Sequence, residues 1–368
     1  MSVEFSKIVF TVTNDLNYDQ RMQRICTSLS NAGFAIMLVG RRLNNSLQLP
    51  NFNFNAKRIK CVFNKGFLFY SEYNIKLFFF LLTNKFDVYG AIDLDTIAPN
   101  YFASALKRKK RMYDAHELFT EQKEIITRPL VHKFWLSIEQ FFVPKFKKGY
   151  TVNIFIQQEL NRRYNVNYSI IRNLPVKIQF NTTIQNTNSN FIIYQGAVNE
   201  GRSFETLIPA MLQVNCKLLI CGKGNFFEQT KQLIYQHQLQ HKIELRGYVN
   251  PDDLITITPT ASIGLTLFEK TGLNQYYSLS NRFFDYIMAG IPQVCVGYPE
   301  YKAINDIHQI ALLINDTDES TIADAINELL NNKELYRQLQ NNCIKARELL
   351  NWENEEKDLL QFWKNVIQ

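Results

Sequence analysis

Hydrophobic and polar positions along this chain follow two alternating periods. Short apolar runs rich in β-branched and aromatic residues are typical of strands, and longer segments with apolar residues three and four apart are typical of helices. Strands are predicted at 7–13, 35–40, 86–92, 111–115, 190–196, 216–222, 242–249, 262–268 and 293–297. Helices are predicted between most of them, as at 21–31 and 98–106. This alternation predicts an α/β fold with parallel sheets covered on both faces.

The length of the chain indicates two domains. Its 368 residues, of which 46% are hydrophobic, are enough for two packed cores. The polar segment 176–190 separates the two sets of strands and is expected to be a linker. Each half is then a doubly wound, Rossmann-like domain. The two domains are expected to face a cleft at the carboxyl ends of their strands, where ligands of such sheets bind.

Cysteine usage and the first residues of the chain indicate a cytoplasmic protein. The six cysteines stand singly, with neither the close pairs of a metal site nor a disulfide framework. The chain begins with a strand-like run rather than the organisation of a signal peptide. The longest apolar run in its middle, 77–82, is too short to span a bilayer. We therefore expect a cytoplasmic location.

Charge is unevenly distributed along the chain. The net charge is +7, but residues 1–180 hold 26 Lys and Arg against 13 Asp and Glu. A basic half suggests an anionic ligand or surface, and the segment 130–148 joins lysines to large apolar residues. We expect weak peripheral contact of this half with the anionic inner face of a membrane, the alternative being a solvated basic edge. The basic runs 107–111 and 145–148 lack a nucleic-acid-binding signature, so no nucleic acid is expected as a partner.

The segment 278–294, SLSNRFFDYIMAGIPQV, predicts a short helix with a polar first turn. Ser280 can cap the helix, and a glycine followed by a proline can end it. Asn281, Arg282 and Asp285 fall close together because residues three and four apart share a face. A helix N-terminus beside a cation is an anion site, and phosphate is a common ligand there. Nucleotide binding is the functional interpretation, and an amphipathic helix with an internal Arg–Asp pair is the structural alternative.

This segment resembles the donor-binding segment of retaining glycosyltransferases of family 4, which have the GT-B fold. Other stretches are similar to that family's segments: YDAHELFTE (113–121), YQGAVNEGRSFETLIPA (194–210), LLICGKGN (218–225) and IELRGYVNPDDL (243–254). The resemblance divides the chain into an acceptor-side domain at 1–178 and a nucleotide-sugar-binding domain at 179–350. It also implies that a helix within 351–368 crosses back onto the first domain.

The resemblance also implies roles for individual residues. His116 is implied to contact the donor sugar and to help hold its anomeric carbon, although a histidine satisfied by local backbone is the alternative. The residues implied to bind the donor are Gly196, Arg202, Lys223, Ser280, Asn281, Arg282 and Asp285. Basic side chains and helix amides would stabilise the departing diphosphate, so neither a metal nor another cofactor is expected. Asp15 and Asp19, in the loop after the first strand, are candidates for acceptor binding or for a general base.

The implied function is transfer of a sugar from a UDP- or GDP-sugar to a glycan or lipid-linked acceptor in surface polysaccharide synthesis. A sugar-nucleotide 2-epimerase of the same fold and a non-catalytic, two-lobed sugar-binding protein are the alternatives. Other site classes are excluded by their motifs. No G-x-G-x-x-G fingerprint follows a strand, the glycines at 222–224 do not form a P-loop, and 116–121 lacks the second histidine of a zincin.

Overall fold

A computed structural model describes residues 6–178 and 191–368 of the chain. The chain divides into two compact units, Met1–Asn173 together with Glu355–Gln368, and Leu174–Asn354. Most of the predicted linker at 176–190 lies outside the described residues. Each unit is built around its own parallel sheet.

The first unit is a seven-stranded sheet with helices in its connections. Its strands are β1 (Lys7–Thr11), β2 (Ala35–Arg42), β3 (Asn55–Lys60), β4 (Val88–Ile92), β5 (Lys110–Ala115), β6 (Gly149–Thr151) and β7 (Ser169–Ile170). Its helices are α1 (Gln20–Asn31), α2 (Gly66–Thr83), α3 (Ile97–Leu106), α4 (Lys123–Ile126), α5 (Pro129–Phe142) and α6 (Ile154–Tyr164). The strands pair in parallel in the order β3-β2-β1-β4-β5-β6-β7. Consecutive residues of the central strands are buried, because both faces of the sheet are covered.

The second unit repeats this plan with six strands. Its strands are β8 (Phe191–Gln195), β9 (Lys217–Cys221), β10 (Ile243–Gly247), β11 (Ile263–Thr266), β12 (Gln293–Val296) and β13 (Ala311–Ile314). Its helices are α7 (Phe204–Ala210), α8 (Phe227–Gln236), α9 (Pro251–Ile257), α10 (Leu273–Tyr276), α11 (Asn281–Ala289), α12 (Pro299–His308), α13 (Glu319–Asn331) and α14 (Lys333–Ala346). The strands pair in parallel in the order β10-β9-β8-β11-β12-β13.

The last helix, α15 (Trp352–Ile367), packs on the first unit from Glu355 onward. Trp363 is fully buried, and its ring meets Phe10 of β1 edge to face with 5.3 Å between ring centres. The Glu355 carboxylate accepts a hydrogen bond from the Arg172 backbone N–H. The end of the chain therefore completes the core of the first unit.

In both sheets the first strand lies in the interior, and the connections run first to one side and then to the other. Strand β1 lies between β2 and β4, and β8 lies between β9 and β11. Open α/β sheets bind ligands beyond the carboxyl ends of the strands at this reversal, the topological switch point. The switch points follow Thr11 and Ile92 in the first unit and Gln195 and Thr266 in the second.

The predicted α/β class with two parallel sheets is confirmed, and all nine predicted strands are present with ends that differ by a few residues. Strands β3, β6, β7 and β13 were not predicted. Strand β3 carries three basic residues on an edge, and β7 has only two residues, so neither has a clear apolar run. The apolar run 77–82 forms the last part of helix α2, which has 18 residues. Among the described residues, no helix is long and apolar enough to cross a membrane.

Candidate functional site

The switch point of the second unit brings two turns into backbone contact. Gly196 follows β8 with φ of 120°, and Gly222 follows β9. A Cβ atom added to Gly222 would stand 1.7 Å from the carbonyl oxygen of Gly196. Only a residue without a side chain permits this approach. The predicted donor residue Gly196 therefore lies in a turn that is packed closely against the turn after β9, and it is itself exposed.

Arg282, the second residue of α11, lies buried beside Gly196 and is 6% exposed. A Cβ on Gly196 would stand 3.3 Å from Arg282 Nη2. The guanidinium carbon lies 4.2 Å from the centre of the Tyr194 ring, and Nε donates to Ser280 Oγ at 3.1 Å. Among the described residues, Nη1 has no hydrogen-bond partner. Because a buried charge is costly unless it is paired, Nη1 is the atom at which an anionic ligand would complete the bonding of this side chain.

Arg202 meets the same group of aromatic rings from a different loop. The guanidinium carbons of Arg202 and Arg282 lie 4.2 Å and 5.3 Å from the centre of the Phe268 ring. Phe268 follows β11, the second strand of the switch point, and is 1% exposed. A cation held against an aromatic ring gains about 0.5–2 kcal/mol. The structure thus brings together the two arginines that the sequence singled out, around a ring that sequence reasoning missed.

The start of α11 differs from the prediction in one respect. Ser280 stands at the N-cap position, but its hydroxyl accepts from Arg282 Nε and makes no hydrogen bond to an amide of the helix. The predicted cap position is therefore correct, but the predicted side-chain bond to the helix is absent. Asn281 is the first residue of the helix and is exposed. Gly290 ends the helix in the left-handed conformation, with φ of 72°, as predicted.

Asp285 is tied to the sheet through Gln195, the last residue of β8. Gln195 donates from Nε2 to Asp285 Oδ2 at 3.0 Å, and its own Oε1 accepts from Thr258 Oγ1 at 2.7 Å. Asp285 is partly exposed, one turn beyond Arg282 on α11. These bonds give Asp285 a fixed position beside the switch point. No motif pointed to Gln195, although its place at a strand end is a position where such sheets carry functional side chains.

Lys223 lies on the turn after β9 and is exposed. Its Cε would be 3.4 Å from a Cβ atom on Gly247, at the end of β10. Its carbonyl oxygen accepts from the Val198 backbone N–H at 3.1 Å. The turn that carries Lys223 is therefore joined to the loop after Gly196, but the ammonium group is on the surface and is a weaker phosphate candidate than Arg282.

In the first unit, the switch point holds a strained aspartate. Asp93 follows β4 with φ of 56° and ψ of 172°, a conformation that residues with a side chain rarely adopt. Its Oδ1 accepts the His116 backbone N–H at 3.0 Å, and its Oδ2 lies 3.2 Å from His116 Nδ1. Its own N–H donates to the carbonyl oxygen of Asp114 at 2.9 Å. These contacts hold the strained turn against the end of β5.

His116 lies between two carboxylates. Its Nε2 is 3.0 Å from Asp114 Oδ2, and Arg21 of α1 donates from Nη2 to the other oxygen of Asp114 at 3.1 Å. Burial opposes a charged ring, but Asp114 and Asp93 raise the pKa of His116 well above its usual range. Burial likewise opposes ionisation of Asp114, but Arg21 and His116 lower its pKa. His116 is thus an imidazolium whose two nitrogens are both bonded to carboxylates of the first unit, and its contact with a donor sugar stays a prediction.

Asp15 and Asp19 have structural roles in this loop. Asp15 Oδ1 pairs with Arg58 Nη1 at 3.2 Å, and Asp19 Oδ1 accepts from the Met22 N–H at 3.1 Å as the cap of α1. Neither residue lines the cavity of the first unit. Both carboxylates are thus engaged in contacts within the first unit, and their acceptor-side or general-base role stays a prediction.

A cavity of about 1050 Å³ opens at the switch point of the first unit. The loops after β1, β4 and β5 contribute Thr13, Asp93, Asp95, His116 and Glu117 to its lining. Further polar residues come from α2 and from the α4 region: Ser71, Asn74, Gln122, Glu124 and Arg128. Burial, with the neighbouring Asp93 carboxylate, raises the pKa of Asp95 to about 7. Sequence reasoning missed Asp93 and Asp95, although they directly follow a buried strand and so occupy the position where ligands bind such sheets.

Comparison with known proteins agrees with this arrangement. Residues 176–346 match the family model "Glycosyl transferases group 1". An uncharacterised glycosyltransferase of Methanocaldococcus jannaschii is 24% identical over 200 residues, which are 52% of this chain and 49% of that protein. The chain therefore spans about half the length of this curated relative.

Two solved structures show the fold over nearly the whole chain. Anabaena HepE in complex with UDP-glucose has a TM-score of 0.76 at 10% identity, covering 98% of this chain and 100% of that one. Sucrose-phosphate synthase from Thermosynechococcus elongatus has a TM-score of 0.74 at 14% identity, covering 98% and 99%. The fold is thus that of GT-B glycosyltransferases, with two Rossmann-like domains. The family match, over residues 176–346, concerns the second unit.

Proposed function

We propose that this protein is a retaining glycosyltransferase of family 4 that moves a sugar from a UDP- or GDP-sugar to a glycan or lipid-linked acceptor in surface polysaccharide synthesis. The observation that carries the proposal concerns Arg282, a buried side chain beside Gly196: its Nη1 has no hydrogen-bond partner within the described part of the chain. A diphosphate bound there would receive charge-assisted hydrogen bonds, which are about twice as strong as neutral ones. The family match over 176–346 and the UDP-glucose bound by HepE favour a sugar nucleotide as its source.

In the proposed reaction, the bond between the anomeric carbon and the diphosphate oxygen breaks as the acceptor hydroxyl forms a new bond to that carbon with the same configuration. The hydroxyl proton passes to the departing nucleoside diphosphate. Negative charge therefore grows on the diphosphate in the transition state, where Arg282, Arg202 and the amides at the start of α11 would stabilise it. Asp285, fixed by Gln195, would accept hydrogen bonds from the ribose hydroxyls, and Lys223 would lie at the edge of the phosphate site.

The first unit would contribute His116 to the donor sugar. Its two carboxylate contacts fix the ring, so its carbon edge would face the sugar. No metal takes part in the proposal. Asp93 and Asp95 have aspartate-x-aspartate spacing, but within residues 6–178 and 191–368 no three His, Cys, Asp or Glu side chains form a group suited to a metal ion.

We place the enzyme in the cytoplasm, with weak contact to the inner face of the membrane. The lysines that suggested this contact are partly used within the first unit: Lys145 lies 3.4 Å from the centre of the Phe141 ring, and Lys109 pairs with Asp87 at 2.8 Å. Exposed apolar residues on the same unit favour the contact more directly. They include Ile75 and Phe79 on α2 and Leu106 on α3, which are 58–68% exposed.

Calorimetry with UDP, GDP, ADP and CMP tests the donor site. The preferred diphosphate should bind wild-type protein. Arg282→Lys should weaken that binding at least tenfold, because lysine cannot supply the forked donors of arginine. Arg246→Lys is the matched control, since Arg246 lies in the same sheet, 40% exposed, in an ion pair with Glu244. Binding that is unchanged in Arg282→Lys would place the nucleotide elsewhere.

Product analysis with the matching sugar nucleotides separates the rival activities. A transferase releases nucleoside diphosphate in proportion to the glycosylated acceptor. A 2-epimerase would instead convert UDP-N-acetylglucosamine to its epimer without an acceptor. A sugar-binding protein would leave every donor intact, and either result would replace the proposal.

A further inference from the structure

The cavity of the first unit carries carboxylates on the side formed by the strand ends. Asp93, Asp95 and Glu117 line this side, and the Asp95 side chain accepts a hydrogen bond from Thr13 Oγ1 at 2.5 Å. Glu124 and two cations, Arg128 and His116, also line the cavity. Carboxylates accept hydrogen bonds from hydroxyl groups, and four of them against two cations leave an excess of negative charge in the lining that disfavours an anion. The raised pKa of Asp95, caused by burial and then by Asp93, shows that further negative charge is unfavourable here. The polar part of a ligand in this cavity is therefore neutral and rich in hydroxyls.

A second side of the cavity, formed by α2 and α5, is aromatic. The Phe67 and Phe134 rings meet edge to face with centres 5.9 Å apart, and Tyr70 meets Trp135 in the same way at 5.3 Å. Phe67 is nevertheless 67% exposed, and Leu130, also in the lining, is 85% exposed. Large apolar side chains that are exposed and clustered at the edge of a cavity indicate a binding site for an apolar ligand.

One molecule can match both sides only if it joins a neutral sugar to an apolar chain. We propose that this cavity binds the acceptor, and that the acceptor is a neutral glycolipid whose sugar hydroxyls meet Asp93 and Asp95 while its chain lies along Phe67 and Phe134. The inference rests on the proposed function, which requires an acceptor hydroxyl. A free glycan would leave the aromatic side uncovered, and a lipid phosphate would place an anion against the carboxylates.

Three small probes distinguish binding of the sugar head group from binding of the alkyl chain. They are octyl β-D-glucoside, methyl β-D-glucoside and octyl sulfate, each below its critical micelle concentration. Calorimetry gives the affinities, and the fluorescence of Trp135 in the cavity lining reports whether the probe enters it. We expect octyl glucoside to bind at least tenfold more tightly than methyl glucoside, because methyl glucoside lacks the chain. We also expect it to bind at least tenfold more tightly than octyl sulfate, because the sulfate meets the carboxylates.

A pair of variants on α2 distinguishes the cavity from general adsorption of the alkyl chain. Phe67→Ser should weaken the affinity for octyl glucoside at least threefold. Phe79→Ser should leave it unchanged, since Phe79 is 60% exposed on the same helix but does not line the cavity. Leu130→Ser, at a position that is 85% exposed, repeats the test should Phe67→Ser fold poorly.

Equal affinities for octyl and methyl glucoside, or equal losses in Phe67→Ser and Phe79→Ser, would overturn the glycolipid assignment. UDP calorimetry on the same samples keeps the two proposals apart, because the proposed nucleotide site lies in the second unit. If UDP binds normally but the probes do not show the expected order of affinities, only the proposed acceptor class is rejected. If the wild-type protein binds none of the nucleotides, the transferase proposal itself is rejected.

Discussion

His116 and Asp93 are joined twice, once through the side chain and once through the backbone. Nδ1 of the histidine lies 3.2 Å from Asp93 Oδ2, and the histidine N–H donates to Asp93 Oδ1 at 3.0 Å. Asp93 has a backbone conformation that costs about 1–3 kcal/mol for a residue with a side chain. The histidine thus offsets strain at the carboxyl end of β4, which is the point where the cavity of the first unit opens.

Replacing His116 by glutamine should remove a pH dependence of stability. The folded protein holds the histidine with a pKa well above its usual value of 6.5. Its contribution is therefore fully present below about pH 6.5 and is lost as pH rises through the folded pKa, by about 1.4 kcal/mol per unit in that window. Urea unfolding at pH 6.5, 8 and 9 should show a steeper loss for wild type than for His116→Gln. Parallel losses in the two proteins would mean that the imidazolium is not held as the geometry indicates.

Replacing Asp95 by asparagine should act in a lower pH window. Burial raises the pKa of Asp95 from 3.8 to about 7, so the folded state binds its proton more tightly than the unfolded state does. The wild type should lose about 1.4 kcal/mol of stability per pH unit from this group between pH 5 and 7, relative to Asp95→Asn. Above about pH 7 the difference between the two should level off. A difference that is constant from pH 5 to 8 would contradict the raised pKa.

Gly196→Ala should damage nucleotide binding as well as stability. The residue has φ of 120°, and the added methyl group would stand 3.3 Å from Arg282 Nη2. We expect about a tenfold weaker affinity for the preferred nucleoside diphosphate, because the guanidinium must move. Gly290→Ala is the matched control, with φ of 72° and a similar 3.3 Å contact, but to the side chain of Ile344. That variant should lose stability and keep its affinity, whereas unchanged binding by Gly196→Ala would remove Arg282 from the donor site.

Transfer activity should survive an excess of a metal chelator. The proposed transition state is stabilised by arginines and helix amides, so no divalent ion is needed. The measurement is release of nucleoside diphosphate before and after treatment with EDTA and dialysis. Complete loss of activity that magnesium or manganese restores would refute this prediction and would direct attention to Asp93 and Asp95.

Binding to vesicles should depend on the apolar surface of the first unit. Wild-type protein should co-sediment with anionic vesicles more than with neutral ones, and the difference should shrink in high salt. Phe79→Ser should weaken the binding, because the side chain is 60% exposed on α2. Tyr235→Ser, at a position that is 58% exposed in the second unit, should not. Equal behaviour of the two variants, or no vesicle binding at all, would favour a solvated surface.

The fold class could be predicted from the sequence because burial of both faces of a sheet requires a recognisable pattern of apolar residues. A central parallel strand needs successive apolar residues, as in Ile8, Val9 and Phe10, and each helix that covers the sheet needs apolar residues at helical spacing. Edge strands carry a weaker mark, so β3 and β7 were missed. The left-handed end of α11 at Gly290 was also predictable, since glycine adopts that conformation without steric cost.

The side-chain partners in the site were decided by tertiary structure alone. The sequence pattern placed Ser280 as a helix cap, but Arg282 bends back to its hydroxyl. It placed Asp15 and Asp19 in a loop at the correct edge of the sheet, yet an ion pair and a helix cap already engage them. Which hydrogen bond or ion pair a side chain forms depends on distances in the folded unit, and no local sequence pattern encodes those distances.

The sequence by itself determined two parallel α/β sheets and the approximate ends of nine of their strands. Only the tertiary structure placed Arg202 and Arg282 around Phe268 and bonded His116 to Asp93. Secondary structure follows from periodicities within a few neighbouring residues. The sites, in contrast, are made where strands distant in the chain become neighbours in a sheet, and that adjacency is set by the packing of the whole unit.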